Sequence, residues 1–374
     1  MSASAPRGPA AVVADVGWVN GLAAIRSLGR HGVRALAVDH RPWALGFRSR
    51  YATPVAAPDP VADEEGFVEA LARLGETLEG PVPAFATHDE HANVLARRHA
   101  DIGPAFRPCT PEWDVLEAIQ SKRHQLEVAA DAGVPVPGTR HPRSAAEARA
   151  AAEELGYPVL VKPSDPVGFK RMYNRQAFRC QSGAEVETAY AQAEAFTPMV
   201  QEYLPGGDEE LYTLGSYLTA DGEALGIFTG RKLRQTRQHM GVCRVAEAVW
   251  VPEVAEHGLA LLRALRFRGI SQVEFKRDPR TGEYKLIEVN PRLWQWHGLA
   301  IACGVDLTHI AYLDLIGRPP APARMTNEGR RWAITFLAAA MSAPVLNLSF
   351  TTFSFEQSPT QEPAVAADGG YRSC

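Results

Sequence analysis

Residues 271–292, SQVEFKRDPRTGEYKLIEVNPR, leave this chain few ways to fold locally. Two runs of alternating residues flank Asp278-Pro279-Arg280-Thr281-Gly282, a turn-forming pentad, so the stretch predicts a β-hairpin. With the hairpin centred on Thr281, Glu274 lies directly across from Glu288. Asn290 shares the face of Glu288, because side chains on a strand repeat every two residues. Like charges directly opposite one another destabilise a sheet. A cation between the carboxylates removes that conflict, and two carboxylates beside a carboxamide oxygen are hard ligands of the kind Mg²⁺ takes. On this reading, neutralising either glutamate in the metal-free protein relieves repulsion of about 0.5 kcal/mol. The alternative is two solvated glutamates on an exposed sheet face.

Composition excludes little else. A chain of 374 residues, 46% hydrophobic, can bury two or three sizeable cores. Its net charge of −4 gives no sign of a nucleic-acid-binding surface. Five cysteines, at 109, 180, 243, 303 and 374, form no C-x-x-C pair and fit reduced thiols in a cytoplasmic protein. Residues 1–10 lack the apolar core of a signal peptide. Residues 332–350 hold no charge over 19 positions, close to the lower limit of a membrane span. Pro344 breaks the helix such a span needs, which favours a buried helix and strand of a soluble domain. Residues 351–374 are polar and read as disordered.

The first third of the chain reads as α/β. Residues 11–16 form an apolar strand, Gly17 to Gly21 a turn, residues 22–31 a helix ended by Gly32, and residues 35–39 a second strand. This unit opens a doubly wound sheet. The dinucleotide fingerprint G-x-G-x-x-G is absent, although Asp39 lies where a ribose-binding acid would sit. A further strand, 82–86, ends in Thr87-His88-Asp89-Glu90. Open sheets bind ligands at that end of their strands, but the simpler expectation is that Thr87 or Asp89 caps the next helix.

From about Thr110 the pattern changes. A helix begins at Ser121-Lys122 and ends at Gly133. Another spans about 145–155 and leads into the apolar strand 159–162, which closes on Lys162. That ammonium must reach water or an anion, since an unpaired buried charge is costly. Residues 164–175 then read as a cationic loop hinged at Gly168. The strand ending at Glu202 runs through Tyr203 and Leu204 into Pro205-Gly206-Gly207 and the acids Asp208, Glu209 and Glu210. An abruptly ending strand exposes backbone groups that can read a purine edge. An acid a few residues on can bind a ribose hydroxyl.

The order of these pieces resembles the ATP-grasp superfamily, and within it the carboxylate–amine ligases of the D-aspartate-ligase kind. The resemblance covers about residues 11–320. It rests on Lys122 followed by G-V-P-V-P-x-T, then P-V-L-V-K-P, Q-E-Y-L-P-G-G-D, F-T-G-R-K-L-R-Q, V-E-F-K-R-D and L-I-E-V-N-P-R. It implies an α/β and α+β chain, with a Rossmann-like N-terminal domain (1–115) before a two-subdomain ATP-grasp fold (116–200 and 201–325). An apolar segment and disordered tail (326–374) have no counterpart in the family.

The family's roles, carried over by motif, give ATP and one or two Mg²⁺, with Mn²⁺ as a substitute. Lys122 and Lys162 would touch the phosphates, under a lid at Gly168. Glu202, Tyr203 and Leu204 would frame the adenine, and Asp208 or Glu210 would bind the ribose. Glu274, Glu288 and Asn290 would hold the metal, while Arg292, Arg231 and Lys232, with Arg234 nearby, would face the transferred phosphoryl and acyl groups. Many relatives carry an acid where this chain has Ser121. The implied reaction joins a small-molecule carboxylate to an amine, such as an amino acid or peptide, through an acyl phosphate. The superfamily also makes a homodimer the expectation, while the cysteines, the net charge and Pro344 give the expectation of a cytoplasmic location with no nucleic-acid or membrane partner. His297 reads as structural. Two other classes remain open: a carboxylase using bicarbonate, and a non-catalytic nucleotide-binding protein.

Overall fold

A computed structural model describes residues 8–164, 166–236 and 241–334. Three sheets organise them. The first is five-stranded and parallel: β1 (Ala11–Ala14), β2 (Ala35–Asp39), β3 (Ala52–Ala56), β4 (Val82–Ala86) and β5 (Phe106–Pro108), in the order β3-β2-β1-β4-β5. Helices α1 (Val19–Arg30), α2 (Glu64–Glu76), α3 (Asp89–Arg97) and the short α4 (His99–Ile102) connect its strands. Both faces are covered, so β1, β2 and β4 are buried throughout, as parallel strands require.

Next come α5 (Trp113–Gln120) and α6 (Lys122–Asp131). Ser121 lies between them and caps α6 by accepting from the His124 N–H. The second sheet is small and antiparallel: β6 (Thr139–Arg140), β7 (Val159–Lys162), β8 (Phe178–Cys180) and β9 (Met199–Glu202), in the order β6-β9-β7-β8. Helices α7 (Ala145–Leu155), α8 (Pro166–Tyr173) and α9 (Gly183–Ala193) accompany it. The open loop expected around Gly168 is thus largely helical. Phe169 explains this, being fully buried among Tyr173, Phe178 and Phe196 at ring separations of 4.9, 5.2 and 5.6 Å.

The third sheet contains β10 (Leu211–Leu218), β11 (Ala224–Gln235), β12 (Cys243–Ala248), β13 (Gly269–Arg277), β14 (Tyr284–Asn290), β15 (Ala323–Arg324) and β16 (Arg331–Ala333). Its main order is β14-β13-β10-β11-β12-β16, with β15 parallel to β11. One face packs on α10 (Pro252–Ala264) and α6 through Tyr212, Leu214, Leu261 and Phe275. Gly258 lets α10 approach the sheet closely there, since a Cβ would stand 2.4 Å from a Leu214 methyl, which would have to shift. The sheet also shares one core with the first sheet. Trp294, Trp296, α11 (Gly298–Ala302) and α12 (Leu307–Leu315) fill the space between β1–α1 and β11–β12. No helix among the described residues is long and apolar enough to cross a membrane. Of the uncharged stretch 332–350, all beyond residue 334 lies outside the described residues, as does the tail.

Candidate active site

The β13–β14 hairpin places Glu274 opposite Glu288. Its geometry differs from the simple expectation in one respect. Near the turn the strands pair as Arg277–Tyr284 and Phe275–Leu286, and a bulge beside Glu274 restores the carboxylates to register. Asn290 lies on the same face, with its amide donating to Glu288 Oε1 at 3.2 Å.

Cations meet both carboxylates. Lys232 Nζ lies 2.7 Å from Glu274 Oε2, and each side chain is only 9% exposed. Lys122 Nζ, at the start of α6, lies 3.9 Å from Glu288 Oε2. The Arg292 guanidinium donates to Asn290 Oδ1 at 3.2 Å. Burial is the largest influence on Glu274 and lifts its carboxyl above the usual range despite Lys232. Burial acts the same way on Glu288, but Lys122, Lys232, Arg292 and the Asn290 hydrogen bond together hold it below. The expectation that either carboxylate is relieved by losing its charge therefore needs correcting. Lys232 already balances Glu274, so removing that carboxylate would strand a buried ammonium.

Lys162, ending β7, donates to Gln201 Oε1 at 2.6 Å. Burial, reinforced by the positive charge of Lys122, pushes its ammonium down to about 7. The opposing attraction of Glu288 puts Lys162 on the edge of the carboxylate site.

The segment expected to frame a purine borders this group. The Glu202 carboxylate is held by Lys285 Nζ at 3.0 Å, by Arg280 and by the Gly138 N–H, while its own N–H donates to the Gly138 carbonyl at 2.8 Å. Tyr203 lies between the Arg179 guanidinium at 4.2 Å and Lys276 Nζ at 5.6 Å. Lys276 Nζ donates to the carbonyls of Leu204 and Gly206. Asp208 accepts from the backbone N–H of Gln235, whereas Glu210 pairs with Arg277 at 2.8 Å.

Three expectations change. Arg231 does not join Lys232 at the carboxylates. Adjacent strand residues point to opposite faces, and Arg231 lies beside Tyr212 on the α10 side, bound to Glu247 at 2.7 Å. Arg234 is exposed and shows no role at the carboxylates. Neither Thr87 nor Asp89 caps α3: Thr87 donates to the Asp15 carbonyl, while Asp89 grips Arg292, with Nε to Oδ1 at 2.8 Å. The sequence presents Asp89 as part of a ligand-binding strand end or, more simply, as a cap; its grip on Arg292, 203 positions away, carried no local signal. Lys276 was more accessible, because it shares the face of Glu274 two residues on. Asp39, a candidate ribose acid, is buried and spent on Arg41, and His297 is buried with its ring at 3.0 Å from the Asn20 carbonyl.

The donor set suits a divalent cation: two carboxylates and a carboxamide oxygen on one sheet face, provided Glu274 releases Lys232. Beside it stand four positive side chains, Lys122, Lys162, Lys232 and Arg292. Such an arrangement can hold a metal-bound polyphosphate and stabilise charge on a phosphoryl group in transfer.

The family model for the ATP-binding domain of the carbamoyl-phosphate synthase L chain matches residues 249–313. D-aspartate ligase of Enterococcus faecium is 22% identical over 278 residues, covering 70% of this chain and 65% of that protein. A putative urea carboxylase of Emericella nidulans is 27% identical over 267 residues, covering 66% of this chain but only 20% of that protein. In structure, a biotin carboxylase–β,γ-ATP complex from Campylobacter jejuni superposes with a TM-score of 0.70 at 17% identity, covering 87% of this chain and 75% of that one. N5-carboxyaminoimidazole synthetase from Staphylococcus aureus gives 0.69 at 14% identity, covering 88% and 82%. The fold is that of these ATP-grasp enzymes, and residues 249–313 match the ATP-binding-domain family model. The sequence is similar to the carboxylate–amine ligases represented by D-aspartate ligase.

Proposed function

We propose that this protein is an ATP-dependent ligase that joins a carboxylate to an amine through an acyl phosphate. The observation that carries the reading is the gathering of Lys122, Lys232 and Arg292 on the Glu274–Glu288–Asn290 face, with Lys162 at its edge. The similarity to D-aspartate ligase over 70% of this chain supports the amide-forming reading.

A carboxylate is a poor acylating agent because its leaving group would be oxide. Attack of a carboxylate oxygen on the γ-phosphorus expels ADP and makes that oxygen part of a phosphate leaving group. The amine then attacks the acyl carbon, phosphate departs and an amide remains. Phosphoryl transfer asks the protein for alignment and charge stabilisation rather than covalent chemistry. Lys122 and Lys162 would hold the phosphate oxygens, and Lys232 would pass from Glu274 to the same cluster. Arg292, fixed by Asp89 and Asn290, would hold the substrate carboxylate in line. Mg²⁺ on Glu274, Glu288 and Asn290 would neutralise charge on the β- and γ-phosphates.

The test is phosphate release across a panel of carboxylates and amines, with and without bicarbonate. Release that requires both a carboxylate and an amine is expected. Release driven by bicarbonate would instead make the protein a carboxylase, and nucleotide binding without turnover would make it a binding protein.

A further inference from the structure

Each side chain that could hold a divalent cation on the β13–β14 face already has a donor seated on it. Lys232 Nζ meets Glu274 Oε2 at 2.7 Å, the Asn290 amide meets Glu288 Oε1 at 3.2 Å, and the Arg292 guanidinium meets Asn290 Oδ1 at 3.2 Å. Lys122 Nζ stands 3.9 Å from Glu288 Oε2. No group of three or more acidic, histidine or cysteine side chains converges as a metal site among the described residues. Counting Asp89, which holds Arg292, three carboxylates face the four basic groups Lys122, Lys162, Lys232 and Arg292. Such a cluster offers a divalent cation little net attraction until more negative charge arrives.

Lys232 is the cation seated most directly on a carboxylate. Lys122 is farther off and more exposed, at 28% of its side chain, and Arg292 approaches the carboxamide instead. Residue 232 is only 7% exposed, so an ammonium driven off Glu274 does not simply pass into water. A buried charge that loses its partner is costly, and a divalent cation taking Glu274 would bind against that penalty. A polyphosphate removes the penalty by giving the ammonium a new anion.

The local shape of β11 supplies a second resting place. Lys232 and Gln235 are three residues apart and would face opposite ways on a regular strand. Register shifts between Lys232 and Arg234 and between Arg234 and Gln235 bring them together, with Gln235 Oε1 3.5 Å from Lys232 Nζ. Bulges re-aim side chains in this way. Asp208 anchors Gln235, accepting from its backbone N–H at 2.8 Å and from its side-chain amide at 3.1 Å. The second bond fixes the amide so that its oxygen meets Lys232. Lys232 therefore has a neutral acceptor beside its carboxylate, tied to the segment expected to receive the nucleotide.

We infer that Lys232 interlocks metal with nucleotide: in the free protein its ammonium holds Glu274 and keeps divalent cations off the carboxylates, and it yields Glu274 only when phosphates take it over. Coupling of this kind is reciprocal, so metal and nucleotide each strengthen the other's binding. The inference rests on the placement of metal and phosphates in the ligase reading.

The experiment measures Mn²⁺ binding to nucleotide-free protein by electron paramagnetic resonance, with melting temperature read alongside. The proteins are the parent, Lys232→Gln, Lys232→Met, Lys232→Arg and Lys232→Gln combined with Glu288→Gln. Two neutral variants keep the test intact where one fails to fold. Both should bind Mn²⁺ at least tenfold more tightly than the parent, and Mn²⁺ alone should raise their melting temperatures but not the parent's. Lys232→Arg keeps the charge and should resemble the parent, and adding Glu288→Gln should abolish the gain. A parent that binds Mn²⁺ as tightly as the neutral variants would overturn the interlock, as would a gain shared by Lys232→Arg or surviving Glu288→Gln. Phosphate release is scored separately. The expected Mn²⁺ pattern in a protein that joins no carboxylate to an amine would uphold the interlock and sink the ligase reading. Equal Mn²⁺ affinities beside amine-dependent phosphate release would do the reverse.

Discussion

Glu274→Gln should destabilise the metal-free protein by about 3–5 kcal/mol, although it removes one of two opposed negative charges. The variant keeps the side-chain volume and an acceptor oxygen, so the loss is electrostatic. Lys232 would be left with 9% of its side chain exposed and no carboxylate at 2.7 Å. Removing one partner of a buried pair costs about 3–5 kcal/mol because the other charge remains uncompensated. Lys232 can limit the cost by shedding its proton. From an unfolded value near 10.4, that costs about 4.6 kcal/mol at pH 7, which agrees with the first figure. The sign of the pH dependence follows. Between pH 7 and 10 the unfolded variant carries a proton on Lys232 that the folded variant lacks, so its stability rises with pH and the deficit narrows by up to about 1.4 kcal/mol per unit. Urea unfolding of parent, Glu274→Gln, Lys232→Met and the double variant at pH 7 and 9 measures this. The double variant should recover most of the loss. A Glu274→Gln protein as stable as the parent at pH 7 would refute the argument.

Glu288→Gln should behave differently, because Glu288 is 36% exposed and its lysine lies 3.9 Å away. Metal-free stability should change by less than about 1 kcal/mol, while the rise in melting temperature caused by Mg·ATP disappears and turnover falls by orders of magnitude. A preserved Mg·ATP shift would remove Glu288 from the metal site. ATP binding above pH 7 should take up about one proton, since phosphates favour the charged form of a Lys162 ammonium that burial holds near 7. Affinity should accordingly weaken as pH rises through 7 and beyond. Calorimetry in buffers of differing ionisation heat reads this, and Lys162→Ala should show no uptake. Asp89→Asn should loosen Arg292 and lower kcat about tenfold with little change in the KM for ATP, and an equal effect on both would count against a positioning role.

The hairpin was legible because strict alternation around a turn pentad leaves one plausible pairing. The bulge that brings Glu274 back opposite Glu288 was not, since nothing local announces a register shift. Arg231 shows how a motif can mislead: Arg231 and Lys232 read as one basic cluster, yet neighbours on a strand face opposite ways. Local composition also hid α8. Pro166 and Gly168 suggest a loop, but burial of Phe169 among three aromatic rings stabilises a helix there. The Thr87–Glu90 turn looked like an ordinary cap because its partners, Asp15 and Arg292, belong to distant segments. Residue type and spacing reveal what a strand presents, whereas contacts closing over 200 positions emerge only once the sheets have packed.

The central claim is that a carboxylate oxygen attacks the γ-phosphorus of ATP, and its most direct test follows that oxygen. Phosphate released during turnover with an ¹⁸O-labelled carboxylate substrate and an amine is analysed by mass spectrometry, in bicarbonate-free buffer. An acyl phosphate passes one labelled oxygen to each phosphate released as the amide forms, and omission of the amine should sharply slow release. Unlabelled phosphate, or labelled phosphate that appears only when bicarbonate carries the ¹⁸O, would contradict it.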